Sequence, residues 1–259
     1  MATKQRRIYN CLPSQNQDRD WQIETAREAG ALAAASLPDS IDLRADWWTI
    51  NNQGTTGSCV GWSVGDSVIR WHMVQAGQLQ PDEQISVRYI WMAAKETDEF
   101  NQKPSTFIET DGTSLKAALD VARKCGVVID RLLPFRSGKL YNGKLETFYL
   151  IAAQRRITAY INLSSNLNRW REWIANNGPI ATRLDVDSAF ESAKATSAHL
   201  TAYQYPGQPQ GHAVALVGYT PDGFIIRNSW GTSWGDKGFA YASNAYAQAA
   251  FTEAYGVLI

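Results

Sequence analysis

Gln53-Gly54-Thr55-Thr56-Gly57-Ser58-Cys59-Val60-Gly61-Trp62-Ser63 is a polar, glycine-rich loop that runs into an apolar stretch at a single cysteine. From Cys59 to about Ala76 the apolar positions Val60, Val64, Val68 and Trp71 recur with helical spacing, and Gly77 is placed to end the helix. Cys59 therefore stands at a helix N-terminus. The free N–H groups and the positive end of the helix dipole there favour a thiolate. The thiolate is the nucleophilic form of cysteine, so the placement points to covalent catalysis. Gln53, six residues earlier, offers an amide donor to the same spot. Gly61 and Gly65 each cost roughly 1 kcal/mol of helix propensity, which predicts close approach of another element.

Outward from this loop the chain divides by pattern. Residues 1–37 are polar and then alanine-rich, with a short helix expected over Asp20–Ala29; Leu37-Pro38-Asp39 marks a boundary. Residues 38–259 are read as one domain of two lobes. Helices are expected near Ser86–Glu96, after Thr113-Ser114, and near Ser165–Asn177. Beyond Gly178-Pro179 the character changes to strands at Ile180–Val186, Ala213–Tyr219, Phe224–Asn228, Gly238–Ala242 and Tyr255–Ile259. Thr220-Pro221-Asp222-Gly223 reads as a hairpin turn. A helical first half and an antiparallel second half argue for an α+β fold: a helical lobe, a β-barrel-like lobe and a cleft between them.

Bulk properties narrow the function classes. The 259 residues carry 25 basic and 25 acidic side chains, so no electrostatic footprint for nucleic acid or an anionic membrane is present. The small cluster Lys4, Arg6 and Arg7 reads as a solvated tail. No apolar run approaches the ~20 residues of a membrane span, and no apolar core follows the basic N-terminal residues. Three cysteines, Cys11, Cys59 and Cys125, fit a reducing compartment and no disulfide framework. A cytoplasmic monomer is expected, with signal-less export as the alternative. No cluster has zinc-ligand spacing, so neither metal nor cofactor is expected.

Two further segments share the polar signature of the Cys59 loop. Gly211-His212-Ala213-Val214 opens a strand with a histidine, and Ile226-Arg227-Asn228-Ser229-Trp230-Gly231 closes the next strand with an asparagine. If the turn folds these strands together, His212 and Asn228 lie side by side. A cysteine nucleophile needs a base, and the base needs a third group to orient its ring. A neutral amide suits that third place, because a thiolate already balances an imidazolium.

With these three motifs on the page the sequence resembles the papain family of cysteine peptidases over roughly residues 37–259. The resemblance rests on Gln53-Gly54 … Gly57-Ser58-Cys59, on Gly211-His212-Ala213-Val214 … Val217-Gly218-Tyr219, and on Arg227-Asn228-Ser229-Trp230-Gly231-Thr232-Ser233-Trp234-Gly235. His212 lies 153 residues after Cys59, near the ~130–150 of this architecture. Asn228 lies 16 residues further on. The resemblance implies a peptide-bond hydrolase acting on peptides or proteins through a thioester. Cys59 would be its nucleophile, His212 its base and acid, Asn228 the ring orienter, and Gln53 an oxyanion donor beside the Cys59 N–H. Trp230 would cover the His–Asn bond. Asp111-Gly112 would line the substrate, and Gly211 stands where well-known members carry Asp.

Departures from the family pattern are also legible. Thr56 replaces a disulfide cysteine, and Val60 and Trp62 replace the usual Trp and Phe. The N-terminal segment does not show the inhibitory prosegment of lysosomal members, which implies a different control. It is read either as occluding the cleft or as a docked structural arm. A thiol acyl transferase or amidase would use the same triad, and an inactive peptide-binding relative would not need it intact. His72, His199 and Cys125 are read as structural, Cys11 as an ordinary thiol of the arm, and Trp47, Trp48 and Trp234 as packing.

Overall fold

The computed structural model describes residues 7–32, 37–97, 111–136 and 141–259. Eight strands form one sheet in the order β4 (Ala159–Asn162), β10 (Phe251–Leu258), β5 (Ile180–Asp185), β7 (Gly211–Thr220), β8 (Gly223–Arg227), β9 (Phe239–Ser243) and β6 (His199–Leu200), with β2 (Ile41–Asp42) also on β7. All pairings are antiparallel except β6 on β9. Strand β7 is the hinge of the architecture. Its side chains alternate, so Ala213, Ala215 and Val217 join one apolar cluster while Val214 and Leu216 join another. The first cluster is the core of the helical lobe, and the second is the core of the sheet lobe. The fold is α+β in two lobes.

The helix after the loop is continuous but changes winding. Cys59–Gly61 is α-helical, Trp62–Ile69 is a π-helix, and Arg70–Gln75 is α-helical again. The close approach expected at its glycines is made by the helix Val87–Thr97. A Cβ on Gly61 would meet the Val87 carbonyl at 2.8 Å, and one on Gly65 would meet Ile90 Cδ1 at 2.8 Å. The helix Leu115–Lys124 is capped as its sequence suggests, with Ser114 Oγ accepting from the Ala117 N–H. The expected strands are present with ends shifted by up to four residues. Helices at Leu145–Ala152 and Asn244–Ala250 carry no strong sequence signature and were not anticipated.

The N-terminal arm is integral to the molecule. Residues Cys11–Leu12 form β1, which pairs in parallel with β3 (Thr113–Ser114) of the helical lobe. Further along, Ile23 and Ala26 of the helix Ile23–Glu28 are fully buried in the sheet-lobe core. The boundary placed at Leu37 is thus a change of composition and not a break in packing. Among the described residues no helix is long and apolar enough to cross a membrane.

Candidate active site

Two walls bring the sequence candidates together. On the sheet wall, the β7–β8 register sets Ala215 opposite Arg227. Continued one step, it places Asn228 opposite Val214, two residues from His212 and on the same face. His212 Nε2 accordingly donates to Asn228 Oδ1 at 2.8 Å, and that oxygen also accepts from the Ser229 N–H at 2.8 Å. The donation through Nε2 leaves Nδ1 as the basic nitrogen, and it has no hydrogen-bond partner among the described residues. Trp230 lies over the imidazole with ring centroids 4.6 Å apart, and Phe190 closes the far edge at 5.8 Å.

On the helical wall, Cys59 starts its helix with the sulfur facing β7. The backbone of Ala213, and of Val60 and Cys59 at the helix start, favours the charged form of the thiol. Gln53 is stitched to the opposite wall: its N–H donates to the Ser229 carbonyl at 2.8 Å, and its Oε1 accepts from Ser229 Oγ at 2.8 Å. This fixes the plane of the amide. Where the family carries a disulfide cysteine, Thr56 Oγ1 donates to the Gln53 carbonyl at 2.8 Å and sits 2.6 Å from Ser58 Oγ. Two hydroxyls hold the loop in place of a bridge.

The walls are tied from beneath by charges that the sequence reading did not single out. Asp66, on the π-helical turns, accepts from Arg70 at 2.9 Å and from Arg227 at 2.9 Å. Arg227 immediately precedes Asn228 and also donates to Ser67 Oγ and the Thr49 carbonyl, both at 2.7 Å. All three charged groups are buried. The available signal was an aspartate and an arginine one helical turn apart in an otherwise apolar helix.

The site is covered by the arm. Cys59, His212, Gln53 and Asn228 are each at most 2% exposed. Arg7, read from sequence as part of a solvated tail, instead lies over the Trp230 ring at 4.0 Å; Lys4 and Arg6 fall outside the described residues. Tyr9 packs beside His212 and Trp230 and donates its hydroxyl to Glu191. Gln53 Nε2 donates to the Ile8 carbonyl at 3.4 Å and to the Thr56 carbonyl at 2.9 Å. The Asn10 backbone favours the charged form of Cys59. Gly112 and Gly211 admit the arm backbone: a Cβ on Gly112 would lie 1.5 Å from the Asn10 carbonyl, and one on Gly211 would lie 2.1 Å from the Cys11 carbonyl. Arg183 Nε holds that Cys11 carbonyl at 3.0 Å, and Glu253 accepts from the Ser14 N–H at 2.9 Å. The Asp111 carbonyl accepts from Trp91 Nε1 at 2.9 Å. Cys11, read as an ordinary arm thiol, is instead buried within this cover.

Burial under the arm sets the ionisation state. It raises the Cys59 thiol above its usual value in spite of the N–H groups around it. It also lowers His212 to about 4, aided by the positive charge of Arg7 and opposed by the bond to Asn228. Burial thus works against the thiolate that the helix start favours.

Comparison with known proteins places this geometry. The sequence matches the family model for papain family cysteine proteases over residues 37–255. Cysteine proteinase 2 of Leishmania pifanoi is 30% identical over 220 residues, and cysteine proteinase B of Leishmania mexicana is 29% identical over 215. Each alignment takes in 79% of this chain and 44% of the relative, so the chain spans less than half the length of either. Among solved structures, xylellain, a cysteine protease from Xylella fastidiosa, superposes with a TM-score of 0.76 at 20% identity, over 100% of this chain and 98% of its own. Digestive procathepsin L2 of Tenebrio molitor gives 0.71 at 22% identity, over 98% and 78%. With the motifs in order and the two-lobed fold in place, the chain belongs to the papain family of cysteine proteases.

Proposed function

We propose that this chain hydrolyses peptide bonds by thiol catalysis and that residues 7–14 hold the site closed until they leave. The observation that carries the reading is the hydrogen bond from His212 Nε2 to Asn228 Oδ1, which leaves Nδ1 as the base. Once the arm leaves, water returns and the burial that opposes charge on Cys59 and His212 is relieved. The proton moves from thiol to imidazole, and the thiolate attacks the substrate carbonyl carbon. Gln53 Nε2 and the Cys59 N–H take the oxyanion; one such donor is worth ~2.7–4 kcal/mol in the transition state. The imidazolium then protonates the leaving amine, and water hydrolyses the thioester by the same base.

The arm resists this chemistry while bound. It gives the Gln53 donor the Ile8 carbonyl, and it lays Tyr9 beside His212 and Arg7 over Trp230. Both catalytic halves are thereby engaged by groups that cannot react together. The test is hydrolysis of a peptide library by a chain starting at Gln15, beside its Cys59→Ala variant. Cleavage by the first and a fall of about 10⁴-fold or more in the second is the expected result. Undiminished cleavage by the Cys59→Ala chain overturns the reading.

A further inference from the structure

Bond cleavage leaves one buried charge beneath the arm unused, the carboxylate of Glu253. It is 3% exposed. Its Oε1 accepts from the Ser14 N–H of the arm at 2.9 Å, and its Oε2 has no hydrogen-bond partner among the described residues. The sheet register sets where it faces. Ala213, next to His212, stands opposite Arg183 of β5, and Arg183 stands opposite Glu253 of β10. Directly opposed residues of antiparallel strands share a face, so the three form one row across the sheet. Ala213 packs in the cluster that contains Cys59, as do Ala181 and Tyr255, two residues from Arg183 and from Glu253. The row therefore lies on the face turned toward the nucleophile. Two strand spacings put the Glu253 backbone roughly 10 Å from that of Ala213. Gly211 leaves the space beside the row to the arm: a Cβ there would lie 2.6 Å from Arg183 Nε and 2.1 Å from the Cys11 carbonyl.

The cations nearby are already committed. Arg183 Nη1 pairs with Asp185 at 3.0 Å and donates to Thr252 Oγ1 at 2.7 Å, while its Nε holds the Cys11 carbonyl at 3.0 Å. Lys116 pairs with Asp20 at 2.5 Å. Three carboxylates thus meet two cations, and Glu253 is the one with no ion pair among the described residues. A carboxylate kept from water without a cation is strongly disfavoured, so the site is one positive charge short. On the reading of this chain as a peptidase, we infer that Glu253 is a specificity-determining residue. Its carboxylate pairs with a lysine or arginine side chain of the substrate, seated where residues 11–14 of the arm now lie. An ammonium or guanidinium replaces the single Ser14 N–H with charge-assisted hydrogen bonds. A neutral side chain of the same shape leaves the carboxylate unpaired, which discriminates more strongly than a missing methylene does. At about 3.3 Å per extended residue, the selected position lies within roughly three residues of the scissile bond.

The experiment compares quenched peptides that carry lysine or norleucine at each of three positions on either side of the scissile bond. The two side chains share an aliphatic stem and differ in charge. The full chain and its Glu253→Gln variant are assayed, and the readout is the lysine-to-norleucine ratio of kcat/KM. Whatever fraction of molecules has the arm lifted cancels from that ratio. At one position the full chain should favour lysine roughly tenfold or more, and Glu253→Gln should bring the ratio close to one. The same peptides are then bound to the full Cys59→Ala chain, with and without Glu253→Gln, by fluorescence polarisation, where the ratio of Kd values should behave alike. No lysine preference at any position overturns the assignment; it is the result expected if Arg183, released from Cys11, turns to Glu253 instead. A preference that Glu253→Gln leaves intact overturns it too. Selective binding in a chain that cleaves nothing would sink the peptidase reading and leave the subsite standing, whereas unselective cleavage would sink the subsite alone.

Discussion

The two halves of the N-terminal arm are held in different ways. Residues 7–14 lie over the catalytic groups through backbone hydrogen bonds, one short parallel pairing and a cation over Trp230. Residues 20–28 are held by core packing and anchored charge. Ile23 and Ala26 are 1% and 0% exposed, and Asp20 is bound by Lys116, Asn162 and Tyr255. Polar contacts exchange readily with water and are worth about 1 kcal/mol each, whereas a buried aliphatic side chain is not surrendered without a cavity. On the proposed reading the front half leaves and the back half stays.

The comparison breaks most sharply under truncation. A chain starting at Gln15 should hydrolyse peptides roughly tenfold faster than the full chain or more, since 1.4 kcal/mol of closure is already a factor of ten. Its melting temperature should stay within a few degrees of the full chain. Equal rates for the two chains would show that the front half does not restrain the site. Next in size, Ile23→Ala should cost about 2–5 kcal/mol of unfolding free energy in a denaturant titration, with no release of activity in the folded fraction. Activation by this substitution would erase the distinction between the halves.

Acid should loosen only the front half. His212 titrates near 4 when covered, against 6.5 for a free imidazole. In the Cys59→Ala chain, where no thiol can pass a proton to the imidazole, the uncovered form therefore binds more protons between these values, and closure weakens as pH falls from about 6.5 toward 4. Glu253, whose carboxyl burial pushes above its usual 4.5, acts in the opposite sense. Intrinsically corrected hydrogen exchange at the amides of Asn10 and Cys11 of that chain should be faster at pH 5 than at pH 7. Exchange at Ile23 should not change between them, and slower exchange at Asn10 in acid would reverse the sign of the linkage. The smallest effect is expected from Tyr9→Phe, which loses only the bond to Glu191. Closure should weaken by about 1 kcal/mol, read as a severalfold gain in hydrolysis by the full chain.

Much of the chemistry was legible because it is local. The Gly57–Cys59 helix start, the Pro221–Gly223 turn that folds His212 beside Asn228, and the glycines that admit the helix Val87–Thr97 each follow from neighbours in the chain. Thr56, legible as the replacement of a disulfide cysteine, joins Ser58 in holding the loop through hydroxyl contacts. The partner of Asp66 across the walls was not legible, since Arg227 lies 161 residues away. The short helix Asn244–Ala250 was missed because its four alanines and a glutamine carry no apolar period.

Sequence alone determined which residues carry reactive groups and in what order, because nucleophile, base and orienter are residue types set at fixed separations. Only the tertiary structure decided what state they are in. The Cys59 loop was read as a place where a thiol becomes a thiolate, and its helix start and N–H groups are indeed there. A segment some fifty residues earlier in the chain then folds over it and removes the water. Desolvation acts through whatever lies nearest in space, so no reading of Gln53–Ser63 by itself could supply it.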